Sequence, residues 1–136
     1  MIQIEIFDEQ GKLVALVIFN NQELQEGHNF FTEPNSFIQL GIWNFSRGTR
    51  LQRHIHKFNS RTITRTCEVI VVTCGSIEAE LYDDKKNHII NQKINFGDVL
   101  VCLAGGHGYT ILEDGTRVIE IKNGPYANAD LDRERF

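Results

Sequence analysis

The sequence predicts an all-β chain folded as an antiparallel sandwich or small barrel, and three observations predict it. Apolar and polar residues alternate with a period of two along most of the chain, the spacing of half-buried strands. Turn residues recur between these runs, at Gly11, Gly75, Asp83-Asp84-Lys85-Lys86-Asn87, Gly97-Asp98, Gly105-Gly106 and Asp114-Gly115. Only residues 21–27, NQELQEG, offer even a short helical turn. Many short strands separated by regular turn signals are the pattern of a sandwich or barrel rather than of a helix-covered sheet.

Taken in order, IQIEIF at 2–7 and KLVALVIF at 12–19 flank Asp8-Glu9-Gln10-Gly11 and read as a hairpin. FIQLGIWNF at 37–45 is a long apolar strand. Gln39, Gly41, Trp43 and Phe45 share one face of it, and Ile38, Leu40, Ile42 and Asn44 the other. LQRHIHK, CEVIVVT, SIEAELYD, NHIINQKI, DVLVCL, YTILED and TRVIEIK follow as strands. The tail beyond Pro125, YANADLDRERF, is polar and is expected along the surface. No repeat, low-complexity stretch or linker interrupts the pattern, so residues 1–136 are read as one domain.

Composition bounds the function. Hydrophobic residues make up 41% of the chain and charged residues 24%, a globular balance that excludes a disordered chain. No apolar run approaches the roughly 20 residues that cross a bilayer, and MIQIEIFDEQ carries acids where a secretory leader needs bases. Cys67, Cys74 and Cys102 are odd in number and form no CxxC pair, so they are expected to be reduced thiols of a cytoplasmic protein. The net charge of −4 is unevenly spread. Between Glu33 and Glu68 there is no acid, while Arg47, Arg50, Arg53, Lys57, Arg61 and Arg65 fall there. Such a window draws an anion. An acidic chain with no other basic face is a poor nucleic-acid binder. A small phosphate- or carboxylate-bearing molecule, or the acidic surface of a second subunit, fits better.

The chemistry-bearing residues start at GTRLQRHIH, residues 48–56. On a strand, His54 and His56 point the same way, about 6–7 Å apart at Cα, so both imidazoles can offer a nitrogen to one cation. A surface pair is the competing reading. Glu68 opens the apolar run EVIVVTCG, where a half-buried carboxylate needs a partner or a metal unless it merely faces solvent at the strand end. His107 sits between glycines in LAGGHGY, in a loop whose backbone can turn the ring inward.

Together these segments resemble the cupin superfamily. Its first motif, G-x5-H-x-H-x(3,4)-E-x6-G, is matched by Gly48, His54, His56, Glu68 and Gly75, with eleven residues rather than three or four between His56 and Glu68. Its second, G-x5-P-x-G-x2-H-x3-N, is matched by Gly97, Gly105 and, one position early, His107; Leu103 replaces the proline and Leu112 the asparagine. The resemblance implies a double-stranded β-helix, or jelly-roll barrel, with a divalent metal (Fe, Mn, Ni or Zn) held by His54, His56, Glu68 and His107.

Around such a site, Arg50 and Gln52 share the inward parity of the histidines, and a guanidinium there suits a forked contact with a carboxylate or phosphate. Trp43 offers a platform for a sugar or ring, although such aromatics more often serve core or dimer contacts. Arg61 and Arg65 lie on KFNSRTITRT, a loop able to close over an anion or a plain basic hairpin. Tyr109 supplies a hydroxyl near the mouth, and Glu120 an acid or base. His28 and His88 read as surface residues. The expectation is a metal-dependent enzyme of isomerase, epimerase or dioxygenase type acting on a small anionic, sugar-derived substrate. The alternative is a cupin module that binds a metal or ligand without turnover. Val69 and Val71, opposite in parity to Glu68, are expected to pack between the subunits of a homodimer.

Overall fold

A computed structural model describes residues 3–136. The chain is nearly all-β and its sheets are antiparallel. β1 (Gln3–Phe7) and β2 (Leu13–Ile18) form the expected hairpin; Ile2, included in the predicted strand, lies outside the described residues. The Asp8 carboxylate accepts the backbone N–H groups of Gln10 and Lys12, both at 2.9 Å, and Gly11 supplies the positive φ that closes the turn. β3 (Gly27–Phe30) pairs with β4 (Gly41–Asn44) as a two-stranded ribbon. Then come β5 (Glu68–Cys74), β6 (Ser76–Tyr82), β7 (His88–Asn95), β8 (Val99–Cys102), β9 (Gly106–Ile111) and β10 (Arg117–Lys122). A single helical turn, α1 (Ala129–Asp132), capped by Asn128, lies in the tail.

Five strands form one sheet in the order β1-β2-β8-β5-β10, and three form another in the order β7-β6-β9. The chain leaves the first sheet at Gly75 between β5 and β6, and returns between β9 and β10. The core between the sheets holds Val14, Val17, Ile70, Val72, Ile77, Leu81, Ile94 and Leu100. The opposite face of the larger sheet carries Leu16, Ile18, Val69, Val99 and Val101, covered by Phe31, Ile38, Leu40 and Ile42. Covering on both faces explains why β2 and β8 read as continuous apolar runs rather than as alternation.

Several expectations are corrected here. Residues 21–27 form no helix, and their last residue opens β3. The strand expected over 37–45 contracts to Gly41–Asn44; Ile38 and Leu40 precede it and, with Ile42, cover the large sheet as a lid. LQRHIHK is not a strand: residues 51–64 have no ladder partner and almost all of them are exposed. Val69 is 3% exposed beneath that lid, so this face is filled by the chain itself and not by a second subunit. Among the described residues the two main sheets face each other without closing into a barrel.

One polar clasp ties the sandwich together. Asp98, 5% exposed, accepts the N–H groups of Asn20 and Asn95, each at 2.9 Å, and so fastens the end of β2 to the β7–β8 turn. In Asp98→Ala both donors lose their acceptor, and the expected cost is about 2 kcal/mol, read as a lower urea midpoint at unchanged slope.

Candidate functional site

Glu68 begins β5 opposite Cys102 on one side and Lys122 on the other, with its side chain on the inner face shared by Ile70 and Val72. It is 6% exposed. A carboxylate buried this far needs cations, and it has two. His107, on β9 in the opposite sheet, places Nε2 against Glu68 Oε2. Lys122 Nζ lies 3.0 Å from Glu68 Oε1 and 2.6 Å from Glu120 Oε1. The ion pair therefore bridges the two sheets.

Burial alone would raise the Glu68 pKa, but His107 first, then the adjoining Glu120 and Lys122 side chains, hold it well below the usual carboxylate range. For His107 burial pulls the other way; acceptance by Cys102 and Glu68 overrides it and pushes the imidazole up to about 10. Both shifts favour the imidazolium–carboxylate form of the pair at neutral pH. Tyr109 stacks at 5.2 Å and 32° on the His107 ring, and its hydroxyl is 3.7 Å from Cys102 Sγ. Burial pushes that phenol up as well.

These groups face a cavity of about 950 Å³ between the sheets, lined by Glu68, Ile70, Glu80, Tyr82, His107, Tyr109, Val118, Glu120 and Lys122. Tyr82 donates to Glu80 at 2.8 Å, and the Phe136 ring meets Tyr82 edge-on at 5.1 Å, so the tail borders the opening. A second cavity of about 480 Å³ touches His107 from another side, with Arg65, Asp84, Asn123 and Asp132 in its wall. There Asp84 pairs with Lys12 and, at 3.3 Å, with Arg65, and accepts the Gly105 N–H at 3.1 Å.

The structure brings together two of the four expected ligands, Glu68 and His107. It does not bring His54 and His56 to them. Those rings lie 5.1 Å apart, but both are exposed on the unpaired segment 51–64 rather than on the expected strand. Among the described residues no group of three or more His, Cys, Asp or Glu side chains is placed to hold a metal ion. The cause is local: without a neighbouring strand to take up its N–H and C=O groups, the HxH segment has nothing to register against. Gln52 and Arg61 are exposed on that same segment, and Arg50 is exposed just before it. Trp43, 63% exposed, meets His28 and Phe45 edge-on, with Phe30 stacked on His28, on the ribbon rather than in a cavity. Tyr109 and Glu120 do line the large cavity. The three cysteines are free thiols.

Sequence reasoning missed Lys122, Glu80, Tyr82 and Cys102. The signal was available for three of them, since Lys122 shares strand parity with Glu120, and Tyr82 with Glu80. Cys102 was hidden inside an apolar run that looked like plain core. Compared with known proteins, the chain matches no family model, no curated protein and no solved structure.

Proposed function

We propose that the chain is a cupin-type jelly roll whose Glu68–His107 cavity carries out proton transfer on a small anionic, sugar-like molecule, an isomerisation or epimerisation through an enediolate. The observation that carries this reading is a buried carboxylate and an imidazole, from two distant sequence motifs, meeting across a cavity between sheets. Nested pairing supports the jelly roll: β5 with β10 and β6 with β9, flanked by β8 and β7. His107 and Lys122 supply positive charge for a carboxylate, phosphate or developing oxyanion. Glu120, half exposed and held by Lys122, is the carboxylate best placed to take a proton from a bound substrate. Glu68, against His107 Nε2, orients the imidazole and stabilises its charged form.

A divalent ion (Fe, Mn, Ni or Zn) belongs to the same proposal. Glu68 and His107 have the right donor chemistry but supply two of the four donors such a site usually takes; His54 and His56 supply the others only if the 46–64 segment closes onto the cavity. When bound, the ion would polarise a substrate oxygen.

The test is incorporation of solvent deuterium into sugar phosphates and nucleotide sugars, with elemental analysis of the chain purified without added metal. Exchange is expected, together with a loss of about 100-fold or more in Glu120→Gln and in His107→Asn. Exchange unchanged in both variants would overturn the reading. Saturable binding without exchange would select the non-catalytic module, a reading favoured by the ion pair that already occupies His107.

A further inference from the structure

We propose that residues 46–64 of one copy add as a strand to the open side of a second copy, along β9 and β10, in a reciprocal exchange. β10 ends the five-stranded sheet and β9 ends the three-stranded one. The turn at 112–116 joins them, so their unpaired edges lie side by side with the cavity opening between. β10 is apolar yet exposed, with Val118 at 41%, Ile119 at 52% and Ile121 at 49%. An unpaired apolar edge of this kind is a template for another strand.

The same molecule carries a segment that lacks such an edge. Residues 51–64 have no strand partner, and Ile55 and Phe58 are 89% and 98% exposed. The segment is basic, with Arg47, Arg50, Arg53, Lys57 and Arg61 and no acid, whereas the open side intersperses Glu80, Glu120, Asp132 and Glu134 with Lys86, Lys122, Arg133 and Arg135, so the match is one of unpaired strand edges rather than of charge. At roughly 3.3 Å per residue in extended form, the segment is several times longer than needed to follow the six residues of β10.

Both roots of the segment are tied to the parent body. At one, Asn44 Nδ2 donates to Leu24 O at 2.9 Å and Ser46 Oγ to Glu26 Oε1 at 3.1 Å. At the other, Asn123 accepts the Cys67 N–H at 2.6 Å and donates to Arg65 O at 2.9 Å. The arm between them is exposed to solvent, with only Ile63 and Thr64 at its end bordering the smaller cavity. A two-fold axis satisfies both arms and both edges at once, which a single copy does not do in this arrangement. If the functional reading above holds, the exchange also carries His54 and His56 toward the Glu68–His107 pair of the second copy.

Sedimentation equilibrium tests this independently of any activity. The wild type is expected at twice the 15.6 kDa chain mass. Ile55→Asp/Phe58→Asp, whose altered side chains are exposed in the single chain, and Ile119→Lys/Ile121→Lys on the accepting edge are expected to be monomers with unchanged far-UV circular dichroism. An equimolar mixture of the two variants restores one of the two exchanges, an intact arm on an intact edge, and is expected to dimerise more weakly than wild type but more strongly than either variant alone; no association in the mixture would overturn the pairing of arm and edge. A monomeric wild type at high micromolar concentration would overturn the exchange, and slow tryptic cleavage at Arg53 in that monomer would assign the segment to its own chain's edge. A dimer that survives both sets of substitutions would overturn it equally.

Discussion

Glu68→Ala is expected to lower stability by about 3 kcal/mol at pH 6, because it leaves His107 and Lys122 charged beside a partly buried gap. That is the lower end of the range for breaking a buried pair, since both cations are about a quarter exposed and can recover some hydration. The pH dependence has a defined shape. Glu68 is lowered from 4.5, so its contribution is present above that pH and fades as pH falls toward its folded value. His107 is raised from 6.5 to about 10, so its contribution is complete below 6.5 and fades as pH rises through 10. The gap between wild type and variant should therefore be widest between about pH 4.5 and 6.5 and narrow toward pH 10. It should not close there, because Lys122 still faces the carboxylate. Chemical denaturation across that range measures the gap, and imidazole titration by NMR should show His107 returning toward its ordinary value in the variant. A stability difference that is flat with pH would mean that the pair is packed rather than ionised. A bound divalent ion would replace the imidazole proton, so metal affinity should rise with pH toward 10, well above the range set by an unperturbed histidine.

The sequence made most of the sandwich legible because strand parity and turn chemistry are local. Asp8 and Gly11 close the first hairpin, and Gly75 turns β5 into β6, with no help from distant residues. Glu68 stood out for the same reason, as a charge in an apolar strand with no local partner. The motifs placed it with His107 as two ligands of one cation, whereas the two side chains meet directly as an ion pair. What could not be read was pairing that depends on a neighbour. LQRHIHK alternates like a strand, yet a strand exists only where another backbone completes its ladder, and this chain's own fold leaves that place open. Ile38, Leu40 and Ile42 behave differently. Their period-2 pattern is real, but it places all three over the large sheet as a lid, and of the three only Ile42 also sits in a ladder, opposite Asn29. The charge-free placement of Cys102 gave no hint that its sulfur would meet Tyr109 beside the site.

Gly105→Ala should be the most damaging single methyl in the chain, and for a reason that reaches the site. Gly105 sits at φ +68°, where an L side chain costs about 1 kcal/mol or more. Its added Cβ would also be driven into the Tyr82 carbonyl oxygen and would lie 3.3 Å from Val14 Cγ1. A backbone oxygen cannot rotate away as a side chain can, so the Tyr82–Gly106 end of the β6–β9 ladder must open. The combined cost should be about 3 kcal/mol or more. Gly115→Ala is the control: its φ is +76° but nothing lies within 4 Å of the new methyl, so only the conformational cost of about 1 kcal/mol applies. The difference between the two variants isolates the contact with Tyr82. His107 follows two residues after Gly105, and the Gly105 N–H is also anchored on Asp84 at 3.1 Å, so opening this corner should turn the imidazole away from Glu68. Its titration should then fall from about 10 toward 6.5, a change that a loss of stability elsewhere in the folded chain would not produce. If Gly105→Ala costs no more than Gly115→Ala and leaves that titration in place, the loop does not position His107, and the ion pair with Glu68 must hold the ring by itself.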